Sequence, residues 1–131
     1  MAQSSESDVI AGRRVLVIED EYLIALEVQR ILEEAGAREV VLVARAAEAL
    51  TALGAAEPFD MAVLDVRLGD ESGEPVARTL EERGIPFVIV TGLASEGPVL
   101  EGFGHIPVLE KPYDAGTLVQ TLVEAVRAAR R

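Results

Sequence analysis

Cysteine and tryptophan are absent from the 131-residue chain, aromatics make up only 4% of it, and a single histidine is present. Without thiols, disulfide scaffolds, thiolate metal centres and cysteine nucleophiles are excluded, and nothing calls for an oxidising compartment, so the cytoplasm is the expected location. A chain that is 50% hydrophobic with so few aromatics must build its core from valine, leucine, isoleucine and alanine, which suits a parallel sheet flanked by helices. Cations are also scarce: 12 lysines and arginines face 23 acids, for a formal charge of −11. That charge repels phosphate backbones and anionic lipid, so nucleic acid is not an expected partner. Arg127, Arg130 and Arg131 instead read as cations at the end of a terminal helix, where they suit its dipole. No stretch approaches the ~20 apolar residues of a membrane span. Residues 1–12 lack both a basic start and an apolar run, so they read as a disordered leader and not as a signal peptide, leaving 13–131 as one domain.

Five short apolar runs, at 15–18, 40–43, 61–64, 87–90 and 106–109, alternate with amphipathic or alanine-rich stretches. That alternation predicts a doubly wound α/β fold, a parallel sheet covered by helices on both faces. Helices are expected over 21–35, 46–53, 73–82 and 115–129, with a weaker one over 95–103, where Gly97, Pro98 and Gly102 interrupt the pattern. Gly36 is placed to end the first helix, whose apolar positions are Leu23, Leu26, Ile31 and Leu32. Asp114 is placed to cap the last, with a stripe at Leu118, Leu122 and Val126.

In an open parallel sheet ligands bind at the carboxyl ends of the strands. The first run ends in Glu19, Asp20 and Glu21, the third in Asp65, the fourth in Thr91 and the fifth in Glu110 and Lys111. Carboxylates gathered there would repel one another unless a cation neutralised them, and a hard oxygen set favours Mg²⁺. Asp20 and Asp65 fit as direct ligands, with Glu19 acting through water. Lys111 supplies a point charge for a phosphoryl group and the Thr91 hydroxyl a hydrogen bond to one of its oxygens. An aspartate directly after Ala-Val-Leu on a buried strand is costly without such a purpose, so Asp65 is the expected covalent acceptor.

The ordered set VLVIEDE at 15–21, VLD at 63–65, VTG at 90–92 and LEKP at 109–112 resembles the receiver domain of two-component response regulators, a likeness covering nearly the whole chain after residue 12. The resemblance implies a flavodoxin-like (βα)₅ fold with strand order 2-1-3-4-5 and often a cis bond before Pro112. It implies Glu19 and Asp20 as the acidic pair, Asp65 as phosphoacceptor, Thr91 as switch hydroxyl, Lys111 as the lysine, and the Arg67 backbone carbonyl as a further Mg²⁺ ligand. The partners it implies are a sensor histidine kinase as phosphodonor and, for a chain read as a single domain, a separate effector protein or a kinase as output. The expected role is therefore phosphorelay signalling, with no enzymatic turnover beyond the domain's own phosphorylation and slow dephosphorylation.

Several positions depart from the family pattern. The family's aromatic switch position, three residues before the lysine, is Val108, so the glycine-broken segment 92–104 is the expected mobile element. PFVIVTG, PVLEKPY and DVRLGDESGEPVA are similar to a subgroup of alphaproteobacterial receivers that lack the aromatic and carry Thr-Gly, which implies kinases of the HWE or HisKA2 type. Arg67 and Leu93, at positions that tune dephosphorylation, offer no water-orienting acid or amide. His105 has no evident partner in the sequence and reads as a loop residue. Two rivals differ in what they need. An aspartate-nucleophile phosphatase requires an acid where Arg67 stands, and a phosphorylation-independent pseudo-receiver would keep the fold without the chemistry.

Overall fold

Short β-branched runs separated by amphipathic stretches fold as the pattern requires. The computed structural model describes residues 6–92 and 102–129. In chain order the elements are α1 (Glu6–Ile10), β1 (Arg14–Ile18), α2 (Tyr22–Glu34), β2 (Glu39–Val43), α3 (Ala46–Leu53), β3 (Met61–Asp65), β4 (Arg67–Leu68), β5 (Glu71–Ser72), α4 (Glu74–Glu82), β6 (Phe87–Thr91), β7 (Val108–Glu110) and α5 (Ala115–Ala129). Five strands form one parallel sheet in the order β2-β1-β3-β6-β7, which is the expected 2-1-3-4-5 arrangement once the small β4–β5 hairpin is set aside. The last strand starts two residues later than its apolar run, because Pro107 has no N–H to donate and borders the ladder by accepting from Ile89 at 2.9 Å.

Strand alternation divides the core into two layers. Val15, Val17, Met61, Val63, Val88 and Val90 face α1, α2 and α5. Leu16, Ile18, Ala62, Leu64, Phe87 and Ile89 face α3 and α4. The Asp114 carboxylate accepts from the Thr117 N–H at 2.8 Å and its hydroxyl at 2.9 Å, capping α5 as expected. Gly36, at φ +99°, follows α2 in the left-handed conformation that ends many helices.

Leu23 departs from its expected place and is 80% exposed. The buried stripe of α2 runs through Ala25, Val28, Ile31 and Leu32, and Leu23 precedes Ala25 by two residues, about 200° round the helix. The weak helix expected over 95–103, and most of the 92–104 switch segment, lie outside the described residues, as do Arg130 and Arg131. Phe103 is described and buried, its ring packed edge-on against Phe87 at 6.5 Å. Among the described residues no helix is long and apolar enough to cross a membrane.

Part of the stretch expected as a leader over 1–12 lies among the described residues. Glu6–Ile10 form a helix that packs on α5, with Val9 and Ile10 buried in the same layer as α2 and α5. The Gly12 N–H then donates to the Gly36 carbonyl at 2.8 Å, fastening this segment to the end of α2. Removing a fully buried isoleucine side chain leaves a cavity, so Ile10→Ala is expected to lower stability by roughly 2–4 kcal/mol in urea unfolding; a change within error would return residues 6–10 to the status of a leader.

Candidate functional site

Each carboxylate of the site leaves the sheet where a strand stops. Glu19 extends β1 by one residue, its N–H donating to Val43 at 3.0 Å, and its buried carboxylate accepts from the Glu21 N–H at 3.1 Å. Asp20, exposed, accepts through Oδ2 from the Gly69 N–H at 2.9 Å. Asp65 closes β3 and is buried; its Oδ1 accepts from the Arg67 N–H at 3.0 Å. One oxygen from each of Glu19, Asp20 and Asp65 lies within 4.8 Å of the others.

Thr91 closes β6 and is buried, one residue beyond Val90, which pairs with Asp65 across the ladder. The Lys111 N–H donates to the Thr91 carbonyl at 2.8 Å, and this backbone bond aims the lysine across the strand ends. Its ammonium reaches Asp65 Oδ2 at 2.8 Å and Glu19 Oε1 at 3.0 Å, with Glu21 at 4.0 Å. The Lys111–Pro112 bond is cis. The fold thus brings Glu19, Asp20, Asp65, Thr91 and Lys111 to one edge, with the Arg67 peptide against Asp65.

Burial, reinforced by the charge of Asp65, pushes the Glu19 carboxyl up to about 7 despite hydrogen bonds from Glu21 and Lys111. Burial alone would push the Lys111 ammonium down, but its bonds to Asp65 and Glu19 outweigh that and hold it above the ordinary lysine range. The Tyr113 phenol is pushed up by burial and by the nearby Glu19 charge. One ammonium against three clustered carboxylates leaves an excess of negative charge. The donor set is all oxygen, and the buried Glu19 resists ionisation in the protein alone, so the residues fit a hard divalent cation.

Sequence reading missed the short hairpin that follows Asp65. Gly69, at φ +64°, turns its N–H onto Asp20, and Gly73 is where a Cβ would meet the Asp65 carbonyl at 2.9 Å. The glycines in RLGDESG were the available signal. His105, expected to stand alone, pairs with Glu81 at the opposite end of the sheet from the carboxylates. Val108 is 45% exposed, so no ring occupies the family's switch position.

The family model for the response regulator receiver domain matches residues 15–123. The sensory transduction protein LytT of Bacillus cereus is 33% identical over 112 residues, covering 83% of this chain and 45% of LytT, so the chain spans about half the length of that relative. The solution structure of SdrG from Sphingomonas melonis is 33% identical with a TM-score of 0.73, covering 94% of this chain and 98% of that one. The receiver domain of the sensor histidine kinase PA1611 from Pseudomonas aeruginosa, a structure with a magnesium ion coordinated in its active-site cleft, shares the fold at 23% identity and a TM-score of 0.71, covering 89% and 99%.

The site makes two measurable demands. Glu19 takes up its proton more readily folded than unfolded, so its contribution to stability is fully present below its ordinary pKa of 4.5 and is lost as pH rises through about 7. Glu19→Gln is therefore expected to gain stability relative to the metal-free wild type on going from pH 5 to pH 7.5, measured by thermal unfolding; a pH-independent difference would contradict the raised pKa. Gly73→Ala must displace the Asp65 carbonyl and is expected to cost about 1–3 kcal/mol, whereas a neutral result would show that the hairpin yields freely.

Proposed function

The chain belongs to the response regulator receiver domain family, and from that premise we propose that Asp65 accepts a phosphoryl group from the phosphohistidine of a sensor histidine kinase. Membership of that family supports a role as a signalling domain in a two-component phosphorelay. The observation that carries the finer reading is the Asp65 carboxylate, buried at a strand end with Lys111 at 2.8 Å and two further acids beside it.

A carboxylate oxygen of Asp65 attacks phosphorus, forming an O–P bond as the N–P bond of phosphohistidine breaks and its electron pair returns to the imidazole. Lys111, already paired with the attacking carboxylate, is placed to follow the charge onto the phosphoryl oxygens, and the Thr91 hydroxyl to hydrogen-bond one of them. Asp20, Asp65 and the Arg67 carbonyl would hold Mg²⁺, with Glu19 acting through water. When bound, that ion would neutralise charge on the transferring group. The metal in the PA1611 neighbour supports this assignment by analogy.

Arg67 is neither an acid nor an amide that could orient a hydrolytic water, so dephosphorylation is slow on this reading. On this reading, output passes in the cytoplasm by protein–protein contact with an output effector or a kinase. The competing pseudo-receiver would carry the same fold and leave Asp65 unmodified.

Transfer from a panel of ³²P-labelled histidine kinases, HWE and HisKA2 types included, separates the two. Label is expected on the wild type in Mg²⁺, to be lost in EDTA and in Asp65→Asn. No transfer from any kinase, or equal labelling of Asp65→Asn, would favour the pseudo-receiver.

A further inference from the structure

The β4–β5 hairpin touches the acidic cluster at two points and a helix end at a third. It leaves the sheet at Asp65, where the Arg67 N–H holds Oδ1 at 3.0 Å. It returns at Gly73, whose N–H donates to Val66 at 2.9 Å and whose missing side chain lets the chain pass against the Asp65 carbonyl. Between these ends the ladder is two residues long, Arg67 opposite Ser72 and Leu68 opposite Glu71. So short a hairpin is not stable by itself. It must be held by what it touches.

Leu68 provides one anchor, buried in the layer under α3 and α4. Glu71 provides another. Three backbone N–H groups at the start of α3 find side-chain acceptors: Glu48 takes those of Ala44 and Arg45 at 3.0 and 3.2 Å, while Ala46 donates to Glu71 at 3.3 Å. A carboxylate there also suits the positive end of the helix dipole. The register then places Gly69 at the turn directly before Asp70, with its positive φ and its N–H on Asp20 Oδ2 at 2.9 Å. Asp20 is exposed, with no core packing to set the rotation of its carboxylate.

We infer that the hairpin is a strut that orients Asp20, and that Glu71 is a positioning residue for cation binding, acting through Gly69 by fixing the hairpin to the α3 N-terminus. The inference rests on the reading of the acidic cluster as a divalent-cation site. It also gives the site a mechanical link to α3, a route that needs no aromatic on β7. Groups that orient metal ligands typically account for about 10–100-fold in affinity, and Glu71 acts one link further out, so a smaller effect is expected.

Mg²⁺ affinity by isothermal titration calorimetry and amide hydrogen exchange on the metal-free protein test it together. Glu71→Ala is expected to bind Mg²⁺ about five- to tenfold more weakly and to exchange the Gly69 amide faster while β3 amides keep their protection. Glu71→Gln keeps an accepting oxygen without the charge and is expected to fall between Glu71→Ala and wild type. A wild type that binds Mg²⁺ beside a Glu71→Ala that binds it equally overturns the inference alone, as does a loss of affinity with Gly69 still protected. A wild type without Mg²⁺ affinity overturns the cation reading and the inference with it.

Discussion

The Lys111 ammonium stands between two buried carboxylates, 2.8 Å from Asp65 and 3.0 Å from Glu19, and the strand-end cluster depends on that pairing. Either acid alone in such a place would cost several kcal/mol if it stayed ionised. The lysine reaches both because it follows β7 at the sheet edge with its N–H on Thr91, with β6 between β7 and β3, and β6 and β3 between β7 and β1. The strand order is therefore part of the chemistry: β1 next to β3 brings Glu19 and Asp65 together, and β6 next to β7 aims the lysine at both. A parallel sheet with all its carboxyl ends on one side is what allows these residues, far apart in sequence, to share one edge.

The same pairing leaves the site incomplete. One ammonium does not neutralise Glu19, Asp20 and Asp65, and the shortfall appears at Glu19, whose carboxyl titrates near 7 under burial and the Asp65 charge. A divalent cation would remove this tension, and a phosphoryl group on Asp65 would draw on the cation and the lysine together. The protein thus accepts some destabilisation at neutral pH in exchange for a cluster ready to bind charge.

Much of this arrangement was legible in the sequence, for specific physical reasons. Buried parallel strands read as short apolar runs, so charged residues directly after a run stand out, as Asp65 does after Ala-Val-Leu and as Glu110 and Lys111 do after the run at 106–109. Helix α5 was legible because Asp114 and a regular apolar stripe mark it. The hairpin was not, because strands of two residues carry no periodicity to detect. Helix α1 was hidden for a related reason: it is a single turn and a half whose apolar residues are Val9 and Ile10, and two apolar residues in a row point to no particular face. Leu23 was misplaced because a stripe read from isolated leucines ignored Ala25 and Val28, which set the buried face.

The exposed Val108 removes one familiar way of relaying the state of Asp65, while the hairpin keeps Asp65, Asp20 and the α3 N-terminus in one hydrogen-bonded chain. All of this has meaning only if Asp65 is where the phosphoryl group resides. The direct measurement is borohydride reduction of protein treated with acetyl phosphate and Mg²⁺, followed by peptide mapping, since an acyl phosphate on aspartate is reduced to homoserine. The account predicts homoserine at position 65 and nowhere else. An unmodified Asp65 peptide, or reduction at Glu19 or Asp20 in its place, would contradict it.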